Sequence, residues 1–195
     1  MKFIKYAVLC EDTAQREFLQ MVLPLLTKEN MNFEFVKTRI EATTKTQVDK
    51  RAAEACKVAF INHNVELFLV CRDVDSDTQK EFNRLYEMFN GMFHKLQEKH
   101  RNQCVIVLPV RCIEHWFWYI KYHQENPNLT KNITLENKTG NEAKTAVYDK
   151  VKVSKDMQEI RREIMESIDV EKLISRSESF KKFHGDFTNV MKLLP

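Results

Sequence analysis

Apolar residues along this chain come in two rhythms that take turns. Residues 3–10 (FIKYAVLC) form a continuous β-prone run ending at Cys10–Glu11. Behind it, DTAQREFLQMVLPLL places Ala14, Phe18, Val22 and Leu25 at helical spacing, with Asp12 or Thr13 as the residue that caps the helix. Residues 32–38 (NFEFVKT) alternate as a half-buried strand does, and Val48, Ala52, Cys56, Ala59 and Phe60 form the next helical stripe. VELFLVCR (65–72) is apolar almost throughout, as befits a parallel strand covered on both faces. Residues 77–100 carry Phe82, Leu85, Phe89, Met92, Phe93 and Leu96 at helical spacing, and QCVIVLPV (103–110) is a fourth strand. The pattern is β-α-β-α-β-α-β. It predicts an α/β protein, a Rossmann-like, four-stranded parallel sheet with right-handed crossovers and helices on both faces.

The remainder reads as helical. CIEHWFWYIKYH (112–123) starts a helix whose Trp116, Phe117, Trp118 and Tyr119 are expected to fill the core. A polar loop follows over about 124–140, then two or three helices. The last has Phe180, Phe183, Phe187, Val190 and Met191 on one face, behind a capping box formed by Ser175 and Glu178. No internal repeat or flexible linker divides the chain. The expectation is therefore one compact domain, with an α/β core over 1–112 and a helical extension over 113–195 packed back onto it.

Composition narrows the setting. The chain has 195 residues, a formal net charge of +3 and only three glycines, too few for a Gly-rich phosphate loop, so an ATPase is excluded. Five cysteines at 10, 56, 71, 104 and 112 show no CxxC pair and no matching Cys/His spacing, which suggests reduced core thiols in a cytoplasmic protein rather than a zinc site. The opening MKFIKYAVLCEDT has too short an apolar stretch for a signal, and Leu9 stands where a lipoprotein anchor needs a small residue. No stretch approaches the roughly 20 apolar residues of a membrane helix. The sequons at Asn128, Asn132 and Asn137 are then part of a polar loop.

Candidate chemistry gathers behind the strands. LFLVCRDVDSDTQ (67–79) sets three aspartates at alternate positions, where like charges resist ionising together. In open parallel sheets, ligands bind beyond the carboxyl ends of the strands. Glu11 follows the first strand, Asp73 the third and Glu114 the fourth. If the chain stays extended through residue 75, Asp73 and Asp75 point to one side. Four carboxylates from three separated segments would then converge, and a divalent cation would turn their repulsion into coordination. An all-oxygen set favours Mg2+, or Mn2+, over zinc. Taken singly, each acid has an ordinary reading: Asp77 as a helix cap, Asp73 and Asp75 as a turn, Glu11 as a first-turn glutamate.

Glu after the first strand and Asp-x-Asp after the third, within one β/α series, resemble the Toprim domain of primases, type IA and type II topoisomerases and overcoming-lysogeny-defect nucleases. The resemblance covers residues 1–112, with Glu11 matching the family's glutamate and Asp73/Asp75 its Asp-x-Asp. It implies that the aspartates bind Mg2+ and that the glutamate binds metal or works as general acid/base. Asp12 departs from the glycine common at that place, which favours the nuclease branch over primases and topoisomerases. IEHWFWYI and SFKKF are similar to stand-alone Toprim-like proteins of bacterial defence loci, and within that likeness Glu114 is an additional metal-site acid. The resemblance implies an Mg2+-dependent nuclease acting on DNA or RNA in anti-phage defence, with a partner ATPase.

Other readings meet the same residues. A calcium-binding EF-hand loop from Asp73 would need Gly at 78 and Glu at 84, where Thr78 and Arg84 stand. A haloacid-dehalogenase-like phosphatase would need Thr at the place of Asp77. A non-catalytic module binding nucleic acid or a partner protein through the same fold stays open. Around the acids, Arg72 is expected to moderate repulsion or to contact phosphate, and His115 to pack beside the site. Lys138, Lys144, Lys150 and Lys152 are either a solvated face or phosphate contacts, and Arg161–Arg162 and Lys181–Lys182 could extend a nucleic-acid track.

Overall fold

The computed structural model describes residues 2–27, 31–127, 134–149, 151 and 153–194. The sequons at Asn128 and Asn132 and the lysines at 150 and 152 lie outside the described residues. In chain order the elements are β1 (Lys2–Cys10), α1 (Thr13–Val22), a 3-10 turn (Leu23–Leu26), β2 (Met31–Phe35), α2 (Lys45–His63), β3 (Leu67–Cys71), α3 (Gln79–Phe93), α4 (Glu98–Arg101) and β4 (Cys104–Val107). Five helices follow: α5 (Glu114–Glu125), α6 (Gly140–Tyr148), α7 (Ser154–Glu166), α8 (Val170–Arg176) and α9 (Glu178–Leu193). The protein is α/β, with one all-parallel sheet in the order β2-β1-β3-β4.

Strand alternation sorts the core into two layers. Ile4, Tyr6, Val8 and Cys10 of β1 share a face with Leu67, Leu69 and Cys71 of β3 and with Val105 and Val107 of β4. That face packs against Phe18 of α1, Trp116 and Phe117 of α5, and Phe180, Phe183 and Phe187 of α9. Ala7, Leu9, Phe68, Val70 and Ile106 point the other way, onto Val48, Ala52, Cys56 and Ala59 of α2 and Leu85, Phe89 and Phe93 of α3. The C-terminal helices thus complete the layer that α1 begins. Trp116 stacks on Phe183 with ring centroids 5.9 Å apart, and its indole N–H donates to Ser179 Oγ at 2.9 Å, so the buried ring's one polar atom is satisfied. Trp118 alone of the aromatic quartet is only partly buried.

Local chemistry decides one detail of the pattern reading and corrects three. Asp12 is the cap of α1, its carboxylate accepting from Gln15 N–H at 2.8 Å. Pro24 ends that helix in a 3-10 turn, so Leu25 leaves the buried face and is 50% exposed. The 77–100 stripe is two helices, and Leu96 reaches the same core from the turn between them. Finally, Ser177 rather than Ser175 caps α9, its hydroxyl accepting from Phe180 N–H, because α8 already occupies residues 170–176. Among the described residues no helix is long and apolar enough to cross a membrane.

Candidate metal and catalytic site

The sheet changes winding direction between β1 and β3. From β1 the chain leaves through α1 to β2 on one side, then returns through α2, on the opposite face, to β3 on the other side. The carboxyl ends of β1 and β3 therefore open a crevice, the usual ligand position in this class of sheet. Cys10 pairs with Cys71 in the last register step, which sets Glu11 and the residues after β3 side by side.

Glu11 and Asp73 meet there across 62 positions of sequence. The Asp73 backbone N–H donates to Glu11 Oε1 at 2.9 Å. Gln15, fully buried one helical turn after Glu11, ties the two side chains together: its Nε2 donates to Glu11 Oε1 at 3.0 Å and to Asp73 Oδ1 at 2.9 Å. Gln15 Oε1 accepts the Glu11 backbone N–H at 3.1 Å. Asp73 Oδ1 also accepts the Ile113 N–H at 3.1 Å, which anchors the entry to α5. Asp73 is only 7% exposed. Burial, followed by the charges of Glu11, Glu114 and Asp12, pushes its carboxyl well above the usual range, while Gln15 pulls it back.

Glu114 stands at the first position of α5, 5% exposed, and its Oε2 has no hydrogen-bond partner among the described residues. Burial raises its carboxyl, opposed chiefly by Lys144 of α6. The effect is mutual, since the Glu114 charge is the largest cause raising the Lys144 ammonium. A buried carboxylate oxygen without a donor is costly unless a cation completes it.

Asp75 behaves differently. The ladder between the ends of β3 and β4 runs Arg72 N–H to Val107 O and Val74 N–H to Pro109 O, and the regular next step would put Ser76 on Arg111. Instead Asp75 N–H takes Arg111 O at 3.0 Å, one residue early. Both residues adopt left-handed backbone, with φ of 60° and 63°. The chain is therefore not extended through residue 75. Asp75 turns outward to an ion pair with Lys45 at the start of α2. Asp77 is not the helix cap; Thr78 is, accepting from Glu81 N–H, and Asp77 pairs with Arg111 at 2.7 Å. Arg72 does not face the carboxylates either. Its guanidinium lies 2.8 Å from Asp49 of α2 and donates to the Asp73 carbonyl at 2.6 Å.

Glu11, Asp73, Asp75, Lys45, Arg111 and Lys144 line one cavity of about 350 Å3. The site thus sets a buried acid, Asp73, among more exposed acids and three basic side chains. As the side chains stand, no group of three or more His, Cys, Asp or Glu is gathered as a ligand set among the described residues. The reason is local: Glu11 Oε1 and Asp73 Oδ1 are held by Gln15 and backbone N–H groups, and Asp75 by Lys45. The donor set nevertheless fits a hard divalent cation, being all oxygen, buried at Asp73 and Glu114, and orphaned at Glu114 Oε2. His115 is buried beside the site, its Nδ1 near Cys112 O at 3.3 Å and Nε2 near Lys138 O at 3.1 Å. Burial lowers its pKa.

Three residues of the site have no place in the pattern reading: Gln15, Lys45 and Arg111. Gln15 is visible in retrospect, four positions after Glu11 at the start of a helix. Lys45 and Arg111 carry no local signal, because only the tertiary fold sets them opposite the acids. The proposed basic track is dispersed. Arg161 is buried against Glu17 and Tyr148, Lys182 pairs with Asp186, and Lys181 and Lys138 pair with Glu178 and Glu142.

Fold and site together define a Rossmann-like α/β protein with buried carboxylates at the switch point of its sheet. Comparisons with protein-family models, curated proteins and solved structures found no match.

Proposed function

We propose that the protein is a divalent-metal-dependent nuclease of the Toprim type, hydrolysing phosphodiester bonds of DNA or RNA with Mg2+ or Mn2+. The observation that carries this reading is the contact of Glu11 with Asp73 at the carboxyl ends of β1 and β3, with the buried Glu114 near enough for its charge to raise the Asp73 carboxyl. Asp73 and Glu114 would hold the ion, joined by Asp75 once it is released from Lys45. When bound, such an ion supplies charge neutralisation and an acidified water. Glu11 either ligates it or takes the proton of the attacking water. Lys45, Arg111 and Lys144 ring the cavity and suit the non-bridging oxygens of a phosphodiester. Gln15 orients both carboxylates without bringing a positive charge that would compete with a cation. The cysteine pattern brings a cytoplasmic setting into the same proposal, and the resemblance of the sequence brings anti-phage defence and a partner ATPase.

A second reading has its own observation. Asp75 and Asp77 are each neutralised by a basic side chain, as in a fold kept for binding nucleic acid or a partner protein without turnover. Cleavage assays on plasmid, single-stranded DNA and tRNA separate the two. Cleavage is expected in Mg2+ and Mn2+ and absent in EDTA, with Asp73→Asn inactive. No cleavage in either metal, alone or with a co-purifying ATPase, would leave the binding module as the better account.

A further inference from the structure

A second cavity, of about 470 Å3, lies between α3, α9 and residues 134–137. Its size is within the roughly 300–1,000 Å3 of small-molecule sites. It lies beside the carboxylate cavity: Asp77, which lines it, pairs with Arg111, which lines the other. Val110 lines it as well, one residue before Arg111. A chain of nucleotides passing the acids would therefore meet this cavity next.

Its lining suits a base better than a phosphate. Phe82 and Tyr86, one turn apart on α3, present nearly parallel rings, 12° between planes. Lys182 covers the Tyr86 ring at 4.1 Å, so Phe82 is the aromatic surface left for a ligand to stack on. Around the rings stand amide side chains, Gln79, Asn83 and Asn137, which offer both donors and acceptors. Glu136 is held in place by Ser177 and Ser179, both donating to its Oε1 at 2.6 Å. Asp77 and Glu178 add carboxylate acceptors, paired with Arg111 and Lys181, and Lys182, the lining's basic residue, is paired with Asp186. Such a wall offers a phosphate no unpaired cation from its lining and accepts hydrogen bonds from the amino and imino groups of bases.

We propose that this cavity takes one unpaired base of a single-stranded nucleic acid, stacked on Phe82, while the neighbouring phosphate lies over the carboxylate cavity. The proposal rests on the nuclease reading and names its substrate class. A paired base cannot enter, because its edge is engaged and its faces are stacked within the helix.

The test is fluorescence anisotropy of the full chain with a labelled 12-nucleotide single strand, as DNA and as RNA, and with the matching DNA duplex. Binding is read in Ca2+ at low salt, where turnover is slow. A single strand of one kind or the other is expected to bind about tenfold more tightly than the duplex. Phe82→Ala and the volume-conserving Phe82→Leu should each lower that affinity roughly tenfold, as loss of a stacking ring does, and Phe82→Tyr should restore it. Melting temperatures identify any variant that has not folded. Equal affinity for single strand and duplex, no binding at all, or single-strand affinity indifferent to Phe82→Leu would overturn the proposal. Selective, Phe82-dependent binding without cleavage in Mg2+ or Mn2+ keeps the pocket and removes the nuclease, so the two failures are told apart.

Discussion

Burial and the charges of Glu11, Glu114 and Asp12 push the Asp73 carboxyl above its ordinary value of 3.8. Its folded pKa therefore exceeds its unfolded one. The stability that protonated Asp73 contributes is complete below about pH 4 and is lost as pH rises through the folded value. In metal-free protein, Asp73→Asn should leave melting temperature nearly unchanged near pH 4 and raise it progressively toward neutrality. Thermal melts in EDTA across that range check this; a variant that melts lower than the parent at every pH would make Asp73 a structural hydrogen-bonding group. At this scale the candidate acids could be named from the sequence because each directly follows an apolar run. What the sequence hid was orientation. The alternation rule sends Asp73 and Asp75 to one side, but the early step of Asp75 onto Arg111 breaks it, and no residue in RDVDSD announces such a slip.

Between elements, the decisive contact is Arg161 of α7 with Glu17 of α1. Arg161 Nε and Nη2 reach Glu17 Oε2 at 2.7 and 2.6 Å, Nη1 donates to Tyr148 of α6 at 3.1 Å, and both charged side chains are largely buried. One guanidinium thereby fastens two C-terminal helices to the first helix of the α/β series. Arg161→Ala leaves Glu17 without its partner and should cost about 3 kcal/mol. That corresponds to a melting temperature lower by roughly 6–12 °C at this chain length. Pairing it with Glu17→Gln should recover much of the loss, because the stranded charge is gone. A single variant as stable as the parent would mean that the C-terminal helices are held by their aromatic face alone. Sequence reading placed Arg161 on the surface, as arginine usually is. Its burial depends on Glu17, 144 positions away, and no local pattern links the two.

For the molecule as a whole, the four strands and their crossovers were legible because each apolar rhythm is uninterrupted and long. The strand order β2-β1-β3-β4 was not, since periodicity carries no information about neighbours. Yet that order is what brings Glu11 to Asp73, and with it the central claim that the β1/β3 crevice gathers a divalent cation. Titration of Mn2+, followed by calorimetry and by loss of the free-ion paramagnetic signal, tests this most directly. The parent chain should bind at least one Mn2+, competed by Mg2+. Glu11→Gln and Asp73→Asn should weaken that binding at least tenfold while circular dichroism shows the fold intact. No Mn2+ binding by the parent, or equal binding by both variants, would contradict the account.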